Sequence, residues 1–141
     1  MKAHVDDMRP LLIGHARHRH RHVETLVVGG GPAGRTAATK AADNGDRVLL
    51  VDERHVLDDP PTGPDVTAMP NATALGVYDD GYVVVHERVR TTETIWHIRA
   101  ANVVLATGVL ERPIAFAGND LPGVMLAGAA VAYVERFGVS P

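Results

Sequence analysis

The pattern of apolar and polar positions changes period several times along this chain, and each change marks an element. Residues 24–28 (ETLVV) form a short β-rich run that feeds directly into Gly29-Gly30-Gly31-Pro32-Ala33-Gly34. From there to Asn44 the period is helical. Ala33, Gly34, Ala37, Ala38 and Ala41 share one face, and Arg35, Thr36, Thr39, Lys40 and Asp43 share the other. Pro32 suits the first helical turn, where its missing N–H costs nothing, and Gly45 suits a left-handed stop. Residues 47–52 (RVLLVD) then read as a second strand. Its unbroken apolar run implies burial on both faces, as in a parallel sheet, so the segment predicts a βαβ unit.

Residues 53–65 (ERHVLDDPPTGPD) carry Pro60, Pro61 and Pro64, which exclude a helix there. A short third strand is expected at 66–69. Three more are expected at 75–78, 82–87 and 94–99, with Asp79-Asp80-Gly81 as a tight hairpin between the first two. Residues 103–108 (VVLATG) read as another buried strand ending in a glycine turn. Residues 124–137 read as a last helix, stopped by Gly138.

At 141 residues, with 45% apolar and 22% charged content, the chain has the profile of one globular domain. No cysteine is present, which excludes a thiol nucleophile, a CxxC redox pair and a thiolate metal site. No apolar run approaches the roughly 18 residues of a membrane span. The stretch Leu11-Leu12-Ile13 is too short for a signal-peptide core, so the cytoplasm is the expected compartment. The net charge of −3 divides into +3 over residues 1–23 and −6 over the rest. A folded part that is acidic argues against nucleic acid as a partner.

Residues 1–22 read as a basic tail and 23–141 as the domain. The tail holds five of the eight histidines, His4, His15, His18, His20 and His22. Imidazoles bind zinc, nickel and copper. The interspersed arginines repel a cation, however, and the expectation is a solvated segment with no metal. Asp58-Asp59 and Asp79-Asp80 sit in turn-like sequence where aspartate is favoured for its own reasons. His86 and His97 read as ordinary strand histidines, and Glu111-Arg112 as a structural ion pair. Ser140 is the only serine, without a hydrolase motif around it. No catalytic residue is supported.

The chemistry lies in Gly29-x-Gly31-x-x-Gly34. The first glycine permits the tight turn, the second lets the backbone approach a pyrophosphate, and the third lets helix and strand pack closely. Pro32 and Ala33 complete the turn, and the phosphate would sit against unpaired N–H groups at the positive end of the helix. Asp52 follows Gly34 by 18 residues, near the spacing at which a carboxylate meets a ribose 2′-hydroxyl. An anion there disfavours a 2′-phosphate, so FAD or NAD is expected in preference to NADP.

VETLVVGGGPAG, VLLVDE, NVVLATGVLERPIAFAGNDLPGVMLAGA and YVERFGVSP together resemble the α subunits of heterotetrameric sarcosine oxidases and the related amino-acid and opine dehydrogenase subunits. The resemblance runs from about His18 to Pro141. It implies an α/β, Rossmann-like dinucleotide-binding domain, a parallel sheet with an inserted antiparallel three-stranded layer. It implies one bound dinucleotide, NAD in the sarcosine oxidases and FAD in several relatives. Amine oxidation in those enzymes belongs to a flavin-bearing partner subunit. Carried over by position, Gly29, Gly31 and Gly34 line the pyrophosphate, Asp52 and Glu53 the ribose, and Thr107 and Gly108 the far side.

Two departures stand out. Where the family has Leu-Gly-Gly beyond the ribose acid, this chain has Leu57-Asp58-Asp59. Only the 13 residues 53–65 are left for a parallel crossover that needs about a dozen. The expectation is an incomplete, shortened relative lacking its crossover helix. The alternatives are a non-catalytic nucleotide-binding subunit or a degenerate fragment that needs a partner chain.

Overall fold

The computed structural model describes residues 16–57 and 59–140; His4, His15 and Asp58 lie outside them. They form two compact units, one up to Gly108 and one from Val109 onward.

The first unit contains β1 (Arg17–Val28), α1 (Pro32–Asp43), β2 (Val48–Val51), β3 (Val66–Met69), β4 (Ala72–Tyr78), a 3-10 turn (Asp79–Gly81), β5 (Tyr82–Val89) and β6 (Thr92–Leu105). One six-stranded sheet results, in the order β3-β2-β1-β6-β5-β4. The pairs β1–β2, β2–β3 and β1–β6 are parallel, whereas β5 runs antiparallel to both β6 and β4. This is the expected Rossmann-like α/β arrangement with three antiparallel strands added.

Two features differ from the sequence reading. The strands expected at 94–99 and 103–106 are one continuous strand, β6. The antiparallel strands are therefore hydrogen-bonded into the same sheet and do not form a separate layer. They nevertheless cover part of it. Val83, Val85 and Ile98 share one buried cluster with Leu26, Val28, Leu49, Val51, Met69 and Ala72.

The second difference is the start of β1. The strand begins at Arg17, inside the segment read as tail, and pairs with β6 from Arg17↔Thr94 to Val28↔Leu105. The alternation His-Arg-His-Arg-His has the period of a strand, and a ready partner in β6 converts it into one. The backbone N–H groups of Glu24 and Thr25 both donate to the Arg47 carbonyl, each at 3.2 Å. This is the local irregularity of a bulge. Upstream of it the odd-numbered Val23 joins the large cluster; downstream the even-numbered Leu26 and Val28 do.

On the opposite face α1 packs Ala38 against Val27, Val48 and Leu50, with Ala41, Leu57, Val66 and Val104 around them. Burying each Val or Leu contributes roughly 1.5–3 kcal/mol. Gly45 takes φ +90° just past the helix, donating to Ala42, and so provides the expected stop. Between β2 and β3 the described residues contain no helix, as the proline-rich sequence requires.

The second unit holds α2 (Ala127–Phe137), ended by Gly138 in the left-handed conformation (φ 64°, ψ 24°). The helix starts three residues later than its apolar pattern suggests, because Leu121–Val124 closes a turn through a hydrogen bond from Val124 N–H to the Leu121 carbonyl (3.1 Å). Glu111 does not pair with Arg112. Its carboxylate accepts the Gly128 N–H at 2.8 Å, where a helix start has orphan donors and favours an anion. Among the described residues no helix is long and apolar enough to cross a membrane.

Candidate dinucleotide site

The glycine-rich turn lies at the junction of β1 and α1. Gly29 has φ +105°, and a Cβ there would run into the Ala106 carbonyl oxygen. A Cβ on Gly34 would overlap the Gly29 carbonyl oxygen and lie 3.3 Å from the Ala106 methyl group. Around Gly31, by contrast, a Cβ meets nothing within 4 Å. The three glycines therefore have two jobs. Gly29 and Gly34 let strand, helix and the Ala106-Thr107-Gly108 turn close on one another, while Gly31 leaves its outward side open.

That second turn is fixed by the Ala106 N–H donating to the Val28 carbonyl at 2.8 Å. Thr107 and Gly108 are exposed at the same end of the parallel strands, with Gly108 at φ +81°. α1 has no acidic residue in its first turn and no side-chain cap on Gly31. Its positive end is left without an anion from its own first turn, the condition under which a phosphate is attracted.

Asp52 is buried and reaches the turn. Its Oδ2 accepts the Gly30 N–H at 2.5 Å, and its Oδ1 accepts the Arg54 N–H and Nε–H, both at 2.9 Å. The Arg54 Nη2 donates to Oδ2 at 3.3 Å. Burial is the largest single influence on the carboxyl and opposes its ionisation. The hydrogen bonds from the Arg54 side chain and from the Gly30 and Arg54 backbone together outweigh it and hold Asp52 below the ordinary range. Asp52 is thus an anion beside the glycine turn. Glu53, the other expected ribose contact, is exposed.

Arg54 is the residue that sequence reasoning missed. Its signal was available, since a cation two positions beyond a buried acid at a strand end is placed to bond that acid. At the position of the family's Leu-Gly-Gly, Leu57 packs over the turn, with its Cδ2 only 2.5 Å from where a Gly30 Cβ would be. Asp59 adopts φ 45° and is exposed, and its backbone carbonyl accepts from Arg35 Nη1 at 3.4 Å. A groove of about 740 Å³ runs along the flank of α1 between Arg35, Thr39, Lys40 and Pro60–Thr62. It adjoins the turn only through Pro32.

Residues 24–58 match the family model described as FAD dependent oxidoreductase. The sarcosine oxidase α subunit of Corynebacterium sp. (strain P-1) is 40% identical over 159 aligned positions, covering 86% of this chain and 16% of that protein. One of the subunits of opine oxidase from Agrobacterium tumefaciens (strain Ach5) is 30% identical, over 84% of this chain and 30% of that protein. Among solved structures, L-proline dehydrogenase from P. horikoshii shares the fold, with a TM-score of 0.67 at 24% identity. It covers 90% of this chain and 31% of its own.

In the Corynebacterium comparison, 86% of this chain is about 121 residues, so about 38 of the aligned positions have no counterpart here. A shortened connection between β2 and β3 accords with such a gap. The chain spans about one-sixth of the length of the sarcosine oxidase α subunits it matches. Its glycine motif, its fold and these relatives taken together make this chain similar, over most of its own length, to one segment of the sarcosine oxidase α subunits, with residues 24–58 matching the FAD dependent oxidoreductase model.

Proposed function

We propose that this chain binds one dinucleotide, FAD, as the nucleotide-holding part of a larger oxidoreductase assembly. The observation that carries the reading is the pair of turns at the ends of β1 and β6. Gly29 and Gly34 allow no side chain, and Gly31 faces open space. Backbone N–H groups at Gly31, Ala33 and Gly34 would meet the pyrophosphate, with Pro32 setting the helix start. Asp52 would accept a ribose hydroxyl, taking over one of the acceptor positions that Arg54 now fills, with Glu53 beside it. Thr107 and Gly108 would close the opposite side.

When bound, FAD would accept or pass on electrons; the protein's share is binding and orientation. No side chain here is given a catalytic role. NAD is the second reading, because an ionised Asp52 suits an unphosphorylated ribose equally well. The relatives carry the names of subunits, which supports a hetero-oligomer; in this reading a flavin-bearing partner would perform amine or amino-acid oxidation.

The test is to purify the chain, denature it and identify released nucleotide by mass spectrometry. FAD is the expected finding, and NAD would move the chain to the second reading. If none is released, and neither FAD nor NAD raises the melting temperature, the binding reading fails.

A further inference from the structure

The histidines of β1 take no part in the dinucleotide site. Strand alternation puts His18, His20 and His22 on one side of β1 and Arg17, Arg19 and Arg21 on the other. Two of the arginines are engaged on their own side. Arg19 lies over the Trp96 ring at 5.5 Å, and Arg21 donates to Thr67 Oγ1 at 2.7 Å. The repulsion expected from interspersed arginines is therefore directed through the sheet, away from the imidazoles.

The register of β6 adds a fourth histidine, His97, directly beside His20. His18 Nδ1 and His97 Nε2 share a hydrogen bond of 2.9 Å. The His20 ring stacks on His97 with centroids 4.8 Å apart, and the His18 ring with centroids 5.2 Å apart. The Tyr82 hydroxyl lies 2.6 Å from His97 Nδ1 and fixes that ring's orientation. The nearby cation on this face, Arg99, rests over the Tyr82 ring at 5.0 Å and donates to the Asp80 carbonyl at 3.2 Å.

Among the described residues no three donors already converge on one point. Two, His18 Nδ1 and His97 Nε2, are held 2.9 Å apart by their mutual hydrogen bond, and turning the His18 ring would free both lone pairs toward one ion. With metal–nitrogen bonds of about 2.0–2.1 Å, donors at right angles on an ion lie about 2.9 Å apart. That right-angled arrangement belongs to tetragonal copper(II) and nickel(II). His18 and His20 are exposed, so turning either ring costs little packing.

We propose that His18 and His97, joined by His20 after a side-chain rotation, bind one divalent ion of the copper or nickel kind, with water in the remaining positions. Each imidazole coordinates in its neutral form. His97 then keeps its proton on Nδ1 and donates it to the Tyr82 oxygen, the outer hydrogen bond that orients a ligating histidine. His18 keeps its proton on Nε2 and coordinates through Nδ1.

The full 141-residue chain is titrated with CuCl2 and NiCl2 in a non-chelating buffer, followed by calorimetry and, for copper, electron paramagnetic resonance. One equivalent bound with at least two imidazole nitrogens is expected. His97→Ala should weaken binding at least tenfold, Tyr82→Phe several-fold, and a His4→Ala/His15→Ala double variant not at all. Wild-type affinity in a folded His97→Ala variant overturns the proposal, as does loss of binding in the double variant or the absence of a saturable site. If His97→Ala does not fold, His18→Ala and His20→Ala are read by the same criterion.

Discussion

Gly31 and Gly34 are both glycine, and the structure separates why. At Gly34 an added methyl group would overlap the Gly29 carbonyl oxygen, and a backbone carbonyl cannot rotate away as a side chain can. Gly34→Ala is therefore expected to destabilise the fold by about 1–3 kcal/mol, the ordinary cost of overpacking. Gly31 has φ −69° and ψ −177°, which any residue adopts, and its outward side is open. Gly31→Ala should leave the melting temperature nearly unchanged and weaken dinucleotide binding at least tenfold. A variant that binds FAD as well as the parent would show that the pyrophosphate does not approach here. A second residue-scale expectation concerns acid. Glu24 takes two hydrogen bonds from the Arg47 guanidinium, at 2.7 and 2.6 Å, which hold its pKa at about 2 instead of the usual 4.5. Asp52 is lowered as well. A carboxyl whose folded pKa is depressed adds stability that is complete above its unfolded pKa and lost as pH falls through the folded value. For Glu24 the window is pH 4.5 down to about 2. Glu24→Gln should flatten the decline of melting temperature across it. Because the pair is exposed, 1 M salt should narrow the difference between parent and variant.

At the scale of elements, period and turn chemistry revealed most of the unit up to Gly108. The helix from Pro32 was legible because Gly34, Ala38 and Ala41 recur at helical spacing on the face it buries. The hairpin was legible because Asp80 and Gly81 both need positive φ, which they adopt at 57° and 63°. The union of two expected strands into β6 was not legible. Ala100 and Ala101 read as a break, yet Ala100 is buried under the same cluster as Ile98. The N-terminal half of β1 was missed for a different reason. A strand of alternating arginine and histidine has no hydrophobic side to announce it; pairing with β6, the contact of Arg19 with Trp96, and the bonds of Arg21 to Thr67 and of His18 to His97 stabilise it. Arg54 was missed although its place two positions beyond the strand-end acid Asp52 was a readable signal. Removing residues 1–22 tests the point. If the segment were a solvated tail, stability would not change. The structure predicts a loss of about 2–4 kcal/mol, at roughly 1 kcal/mol for each ladder hydrogen bond. Fluorescence of Trp96, the single tryptophan, should shift to the red as Arg19 leaves its ring.

For the molecule as a whole, the question is whether a sheet with so short a crossover still presents a working site. Leu57 supplies part of the answer. It joins the small cluster with Val27, Ala38 and Leu50, so one apolar side chain of the irregular segment does some of the covering that a crossover helix would do. The segment also returns the chain to β3 in parallel register with β2, from Val48↔Val66 to Val51↔Met69. The two strands whose ends carry the candidate site, β1 and β6, pair with each other from Arg17↔Thr94 to Val28↔Leu105. Shortening has thus fallen on the flank of α1 and left the strand ends intact. A site that is preformed in this way should respond to ligand as a folded-state binder does. At a hundredfold excess over Kd, a dinucleotide adds about 2.7 kcal/mol to stability. For a domain of this size that is a rise of roughly 10 °C in melting temperature. Hydrogen exchange should slow at residues 29–34 and 106–108, where backbone N–H groups would face the ligand under this proposal, and change little along β4 and β5. Slowing spread evenly over the whole sheet would mean that FAD acts by completing a fold left unfinished by the short crossover. Slowing confined to the two turns would mean that the pocket is already built, and that the shortened segment has little part in binding.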